Sequence, residues 1–162
     1  MQFLSPIPDP MLAPAARLWW SSFAPGPWRR IWRIPPVRAA AGLAAVTGGQ
    51  VVAVMGLRDA SGGFLGRQPV LASRLFRAAP PTQDLVIDGI VVCDRRRGVG
   101  RQMVALAEAR ARSGGHPGLR AEVRLANRAG LAFWRSIGFA EVGRGRYGWP
   151  WDGQVVVMRR GL

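Results

Sequence analysis

Residues 85–110 read LVIDGIVVCDRRRGVGRQMVALAEAR, and the order of features in this stretch decides the fold. Leu85 to Val92 is a nearly continuous apolar run, punctured by Asp88 and Gly89, and it reads as a buried strand. Arg95-Arg96-Arg97-Gly98-Val99-Gly100-Arg101 follows. Beyond it Val99, Met103, Leu106 and Ala107 recur at helical spacing, so the segment predicts an amphipathic helix that Gly114-Gly115 ends. The unit is a strand, a glycine turn and a helix. Glycines at a helix start let backbone N–H groups approach an anion closely, and the helix dipole adds about half a positive charge there. Flanking guanidinium groups contribute charge-assisted hydrogen bonds, so a diphosphate suits this turn.

Spacing narrows the choice of phosphate motif. A P-loop needs Gly-Lys-Ser or Gly-Lys-Thr, and the chain has no lysine. The dinucleotide fingerprint fails because Met103 stands at its third glycine position. A basic surface turn is the plain alternative, and the flanking sequence arbitrates. Downstream, Leu119, Ala121, Val123 and Leu125 alternate with Arg120, Glu122 and Arg124 as in a strand. Asn127 then caps a predicted helix that turns Phe133, Trp134 and Ile137 inward and stops at Gly138.

Upstream, Leu12, Ala16, Leu18, Trp19 and Phe23 form a helical stripe before the breaker Pro25-Gly26-Pro27. A short Trp28 to Ile34 piece follows. Leu43 to Val46 and Val51 to Met55 read as a hairpin about Thr47-Gly48-Gly49-Gln50. Asp59 to Gly66 is turn-rich, and Pro69 to Ala79 suits a short helix before Pro80-Pro81. No repeat or linker divides the chain, so residues 1–162 are expected to form one domain.

Composition sets the outer bounds. Of 162 residues 49% are hydrophobic and 20% charged, which excludes wholesale disorder. The 23 basic residues, all arginine, against 9 acidic ones give +14, which points to an anionic ligand. The charge is even: the first 80 residues and the remainder each carry +7, without the tail or stripe of many nucleic-acid binders. Nucleic acid is therefore not the expected partner. Cys93 has no intrachain partner, Met1 to Ala24 lacks a basic segment ahead of its apolar stretch, and Ala39 to Leu57 is split by the hairpin turn. A cytoplasmic protein with neither signal peptide nor membrane span is expected.

With order, spacing and element type in place, a resemblance becomes specific. Arg95-x-x-Gly98-x-Gly100 is similar to the acetyl-CoA motif of GCN5-related N-acetyltransferases, and Asn127 through Ala132-Phe133-Trp134-x-x-x-Gly138-Phe139 resembles that family's second motif. The motif-bearing part covers Asp84 to Phe139, the strands to Met158 fit more loosely, and the first 80 residues match in element order alone. The resemblance implies an α/β (α+β) domain: a mixed, mostly antiparallel sheet of about six to seven strands flanked by about four helices. It implies acetyl-CoA as co-substrate, its pantetheine arm beside Ile90 and Val92 and its diphosphate at Arg95, Arg96, Arg97, Gly98, Val99, Gly100 and Arg101. Asn127 and Trp134 would lie near the cofactor as well.

Acyl transfer to an amine needs a proton acceptor, because an alkyl ammonium with a pKa near ~10 is not a nucleophile at neutral pH. The resemblance places the base on the strand before the turn, where Asp84 and Asp88 stand four apart on one face. Asp88 is favoured, since a carboxylate inside an apolar strand is costly unless paired or used, and a structural ion pair with an arginine is its plain alternative. The family's usual tyrosine acid is replaced by Trp134, whose indole cannot donate a proton, and Tyr147 is the one tyrosine that could substitute. A thiolate leaving group with a pKa near ~8.5 departs without much help. His116 sits in a Gly-His-Pro-Gly loop without a ligand cluster, and neither a nucleophile elbow nor metal-ligand spacing exists, so no metal is expected.

The function that follows is direct acetyl transfer from acetyl-CoA to a primary amine of a small molecule, with no covalent acyl-enzyme. A protein or peptide acceptor, or a non-catalytic CoA- or nucleic-acid-binding module of the same fold, are the alternatives. A homodimer is compatible with either.

Overall fold

The computed structural model describes residues 1–24, 33–66, 74–93 and 98–162. Most of the Trp28 to Ile34 piece, the breaker before it, the first part of Pro69 to Ala79, and Arg95, Arg96 and Arg97 lie outside the described residues. In chain order the elements are β1 (Gln2–Leu4), α1 (Asp9–Phe23), β2 (Gly42–Thr47), β3 (Gln50–Asp59), β4 (Gly62–Gly63), β5 (Leu85–Val92), α2 (Val99–Ser113), β6 (Gly118–Arg124), α3 (Arg128–Ser136), β7 (Ala140–Gly145) and β8 (Val155–Gly161). A single 3-10 turn at Ala39–Ala41 precedes β2.

This is the expected α/β class with a mostly antiparallel sheet. Among the described residues the counts differ, with eight strands rather than six to seven and three α-helices rather than four. The additions are the three-residue β1 and the two-residue β4, too short to leave a pattern in the sequence. Of the expected Pro69 to Ala79 helix, only Arg74 and Leu75 are helical among the described residues, and Arg77 instead pairs as an isolated bridge with Gly148.

Contacts cluster into two compact units: Met1–Arg67 with Ile87–Ala107, and Gln68–Val86 with Glu108–Leu162. In the first unit the strand order is β1-β2-β3-β5, with β4 paired antiparallel to β3. The hairpin of β2 and β3 turns at Gly48 and Gly49, whose φ values of 56° and 74° are the left-handed pair that a two-residue type I′ turn requires. β1 pairs antiparallel with β2. Helix α1 contains Pro10 and Pro14. Pro10 costs nothing in the first turn, while Pro14 removes one hydrogen bond early in the helix. Its Ala15 and Trp19 pack with Ile7, Ala41, Ala44, Val54 and Phe64 into the core of this unit.

The second unit carries the antiparallel order β6-β8-β7. Helix α2 ends as expected: Gly115 has φ of 72°, and the His116 N–H donates to Ala111 O at 2.9 Å. Two expectations about faces need correction. Val99, Met103, Val104, Ala107 and Ala111 are buried, so the inward stripe of α2 centres near Ala107 and leaves Leu106 at its rim, 40% exposed. In α3 the buried residues are Leu131 and Trp134, while Phe133 and Ile137 are half-buried. A third correction concerns β6. Arg120 was placed on the polar face of an alternating strand but is 5% exposed, with Nη1 donating to Pro80 O at 2.6 Å. Its Nη2 lies 3.1 Å from Glu122 Oε1, close enough for charge attraction but not aligned as a hydrogen bond.

Gly42 opens β2 where a side chain has no room, since a Cβ there would meet Ile7 Cδ1 at 2.6 Å and Phe64 Cε2 at 2.7 Å. Gly42→Val is expected to destabilise the protein by about 1–3 kcal/mol through overpacking, read as a lower denaturation midpoint. An unchanged midpoint would show that the first core is looser than described.

Candidate active site

Strand β5 delivers Asp88, Ile90 and Val92, and α2 begins just beyond. The first three residues of β5 are buried and the remaining five half-buried, so the continuously buried strand read from the sequence holds for Leu85 to Ile87 alone. The glycine that punctures the run has a packing reason: a Cβ on Gly89 would fall 2.6 Å from the Phe23 ring of α1. At the far end the Cys93 N–H donates to Val52 O of β3 at 2.9 Å.

Gly98 stands immediately before α2. It has φ of 73°, a left-handed conformation that costs L side chains energy, and a Cβ there would meet nothing within 4 Å among the described residues. The Gln102 N–H donates to Gly98 O at 3.1 Å. The N–H groups of Val99, Gly100 and Arg101 therefore belong to the first turn, ahead of the helix's own ladder. Val99 is buried and anchors the helix start, while Gly98 and Arg101 are exposed. Open space, a left-handed glycine and first-turn amides fit a diphosphate.

The two aspartates have different surroundings. Asp88 Oδ1 accepts from Arg58 Nε at 2.7 Å, and its Oδ2 lies where it would meet a Cβ on Gly63 at 2.8 Å. The carboxylate, 22% exposed, is thus held between β3 and β4 and is open to solvent in part. Arg58 is the residue that the sequence did not single out. Asp84, in the second unit, is 4% exposed and takes a bidentate pair from Arg159: Nε to Oδ2 at 2.8 Å and Nη2 to Oδ1 at 3.0 Å. That hydrogen bond holds the Arg159 guanidinium still more firmly protonated than usual. Gly118 makes room for it, since a Cβ there would stand 2.6 Å from Asp84 Oδ1.

The other candidates also lie in the second unit. Asn127 caps α3, its Oδ1 accepting from the Gly130 N–H at 2.9 Å. Trp134 is buried in edge-to-face contact with Phe133 at 5.1 Å and Phe139 at 4.8 Å. Tyr147 lies across Gly145, and His116 Nδ1 donates to Gln83 O at 2.8 Å, the acceptor being a carbonyl. Among the described residues no group of histidine, cysteine and carboxylate side chains could hold a metal ion, and no helix is long and apolar enough to cross a membrane.

The sequence model of the acetyltransferase (GNAT) family matches residues 12–139, which include β5, the turn, α2 and the capped helix α3. The chain belongs to this family. It is an acyltransferase that uses acetyl-CoA. No curated protein sequence matches it. Among solved structures, Ard1 from Thermoplasma volcanium is similar at 16% identity and a TM-score of 0.64, over 99% of this chain and 97% of that one. The ribosomal-protein-S18-alanine N-acetyltransferase from Escherichia coli is similar at 17% identity and a TM-score of 0.61, over 99% and 92%. A streptothricin acetyltransferase homologue from Bacillus anthracis, solved with acetyl coenzyme A, is similar at 16% identity and a TM-score of 0.51. The match spans 75% of this chain and 62% of that chain. At these identities the likeness is one of fold.

The pair of Asp84 and Arg159 is asymmetric in burial, which yields a stability prediction. Arg159→Met strands a buried carboxylate and is expected to cost about 3 kcal/mol. Asp84→Asn leaves an arginine whose side chain is 39% exposed and can be hydrated, so it should cost less, about 1–2 kcal/mol. Thermal unfolding of both variants checks the order; the reverse order would mean that the pair is not what stabilises this corner.

Proposed function

We propose that this acyltransferase passes the acetyl group of acetyl-CoA directly to a primary amine of a small molecule, with Asp88 accepting the proton that the amine must lose. One observation carries the reading. In the strand that leads to the glycine turn, one carboxylate is partly open to solvent and fixed in place by Arg58 of the neighbouring strand. When bound, acetyl-CoA supplies the acetyl group on a thioester. The chain's part is to align that group beside β5, to meet phosphate at the first turn of α2, and to take up a proton. As the C–N bond forms and the C–S bond breaks, the amine proton passes to Asp88, directly or through water, and thiolate leaves. Val99, Gly100, Arg101 and the turn arginines Arg95, Arg96 and Arg97 are assigned to the diphosphate, Ile90 and Val92 to the pantetheine arm, and Asn127 and Trp134 to the cofactor's surroundings.

Asp84 is the weaker candidate for the base, because both of its oxygens already accept from Arg159. The whole chain is proposed to act as one catalytic domain. A peptide amine is the second reading: the ribosomal-protein-alanine N-acetyltransferase from Brucella melitensis shares the fold over 100% of both chains, at 19% identity. CoA thiol release with a panel of small amines and of peptides separates the two.

Asp88→Asn keeps size and removes basicity. It is expected to retain acetyl-CoA affinity, to lose on the order of 10²-fold in turnover, and to recover in part at high pH as the amine deprotonates itself. Turnover against pH, measured alongside melting temperature, is the check. A stable, fully active Asp88→Asn enzyme would remove the assignment, and a loss that merely follows unfolding would make the Arg58 pair structural.

A further inference from the structure

The aromatic residues that acetyl transfer does not use gather in the second unit. Arg77 and Gly148 exchange two backbone hydrogen bonds, at 2.9 and 2.7 Å, which set the segment holding Phe76 beside the turn between β7 and β8. Phe76 meets Trp149 edge-on with centroids 5.5 Å apart, and Trp149 stacks on Trp151 at 5.5 Å with an interplanar angle of 2°. The turn is braced internally. Asp152 Oδ2 accepts from the Trp149 N–H at 2.9 Å, and the Asp152 N–H donates to Trp149 O at 2.9 Å. Yet the rings face water, with Phe76 39% and Trp151 52% exposed. Two rings on a braced turn and a third from the bridged segment, with Trp151 half-exposed, form a stacking surface.

Charge says what would cover it. The even distribution read from the sequence counted every arginine alike, whereas the structure neutralises many of them. In the second unit Arg112, Arg120, Arg124, Arg135, Arg144, Arg159 and Arg160 each stand within ion-pair distance of a carboxylate. Arg74, Arg77, Arg128 and Arg146 are exposed and have no ion pair among the described residues. Arg128 opens α3, while the other three lie in the two segments that the bridge of Arg77 and Gly148 joins, which are the segments that carry the rings. Open positive charge beside open ring faces matches a ligand that offers planar bases and phosphates together.

We propose that Phe76, Trp149 and Trp151, with Arg74, Arg77 and Arg146, bind single-stranded nucleic acid, a base stacking on Trp151 and phosphates meeting the arginines. A duplex hides its ring faces, and an acidic peptide supplies charge without planar bases. The proposal is independent of which amine is acetylated, and it assigns the chain a second ligand surface apart from the glycine turn.

Fluorescence anisotropy of a labelled oligouridylate, with the full chain and saturating acetyl-CoA present, tests it. Salt-sensitive binding is expected, with Trp151→Ala losing about tenfold in affinity. Arg146→Gln should lose several-fold and lower the slope of log affinity against log salt by about one. Trp151 is half-exposed, so its removal should spare the fold, and unchanged CoA release by the variant confirms that. Three results would overturn the proposal: Trp151→Ala binding like the parent, polyglutamate or inorganic polyphosphate binding as tightly as the oligonucleotide, or displacement of the oligonucleotide by CoA.

Discussion

The turn from β5 into α2 is the constraint on which the rest of the molecule depends. A strand must give way to a helix within a few residues while leaving the first-turn N–H groups outside the helix's own ladder. Gly98 takes φ of 73° with nothing near its missing Cβ among the described residues, and Val99 fixes the helix by being buried at 3% exposure. A β-branched residue at Gly98 would be strained by about 1 kcal/mol or more and would also fill the space before the amides. The elements around the turn hold its two arms. The ring of Phe23 presses on Gly89 of β5, and the stripe of Met103, Val104 and Ala107 buries α2.

Arginine does several kinds of work in this chain, and burial separates them. Arg159 satisfies a buried carboxylate, Arg120 is itself buried under Pro80 O, and Arg58 orients a carboxylate that stays partly open. Arg144 and Arg135 close on Glu141 at the surface, where the hydrogen bond from Arg144 first, then charge, holds that carboxyl below its ordinary range. Such exposed pairs add little stability. Their consequence is to subtract charge from the surface around Glu141.

Much of this was legible in the sequence because the deciding signals are local. The Gly48-Gly49 hairpin, the Asn127 cap, the glycine stops of α2 and α3 and the bounds of β5 each rest on a few adjacent residues with a backbone reason. What the sequence hid is long-range. Asp84 and Asp88 share one strand face by spacing, but their partners differ and come from far along the chain: Arg159 lies 75 residues from Asp84, and Arg58 lies 30 residues from Asp88. Arg120 fitted the polar phase of an alternating strand, and only the chain passing at Pro80 makes it a buried residue. β1 has three residues and no pattern of its own, being defined by its pairing with β2.

The central claim is that the first turn of α2 receives the diphosphate of acetyl-CoA, and a single substitution tests it. Gly100→Glu places a carboxylate in that turn, where a helix tolerates or favours an acidic residue, so the fold should stand while the anion is repelled. Titration calorimetry of acetyl-CoA into this variant is expected to show no binding, with an unfolding transition near that of the parent. Unchanged affinity in a folded Gly100→Glu protein would place the cofactor elsewhere and contradict the account.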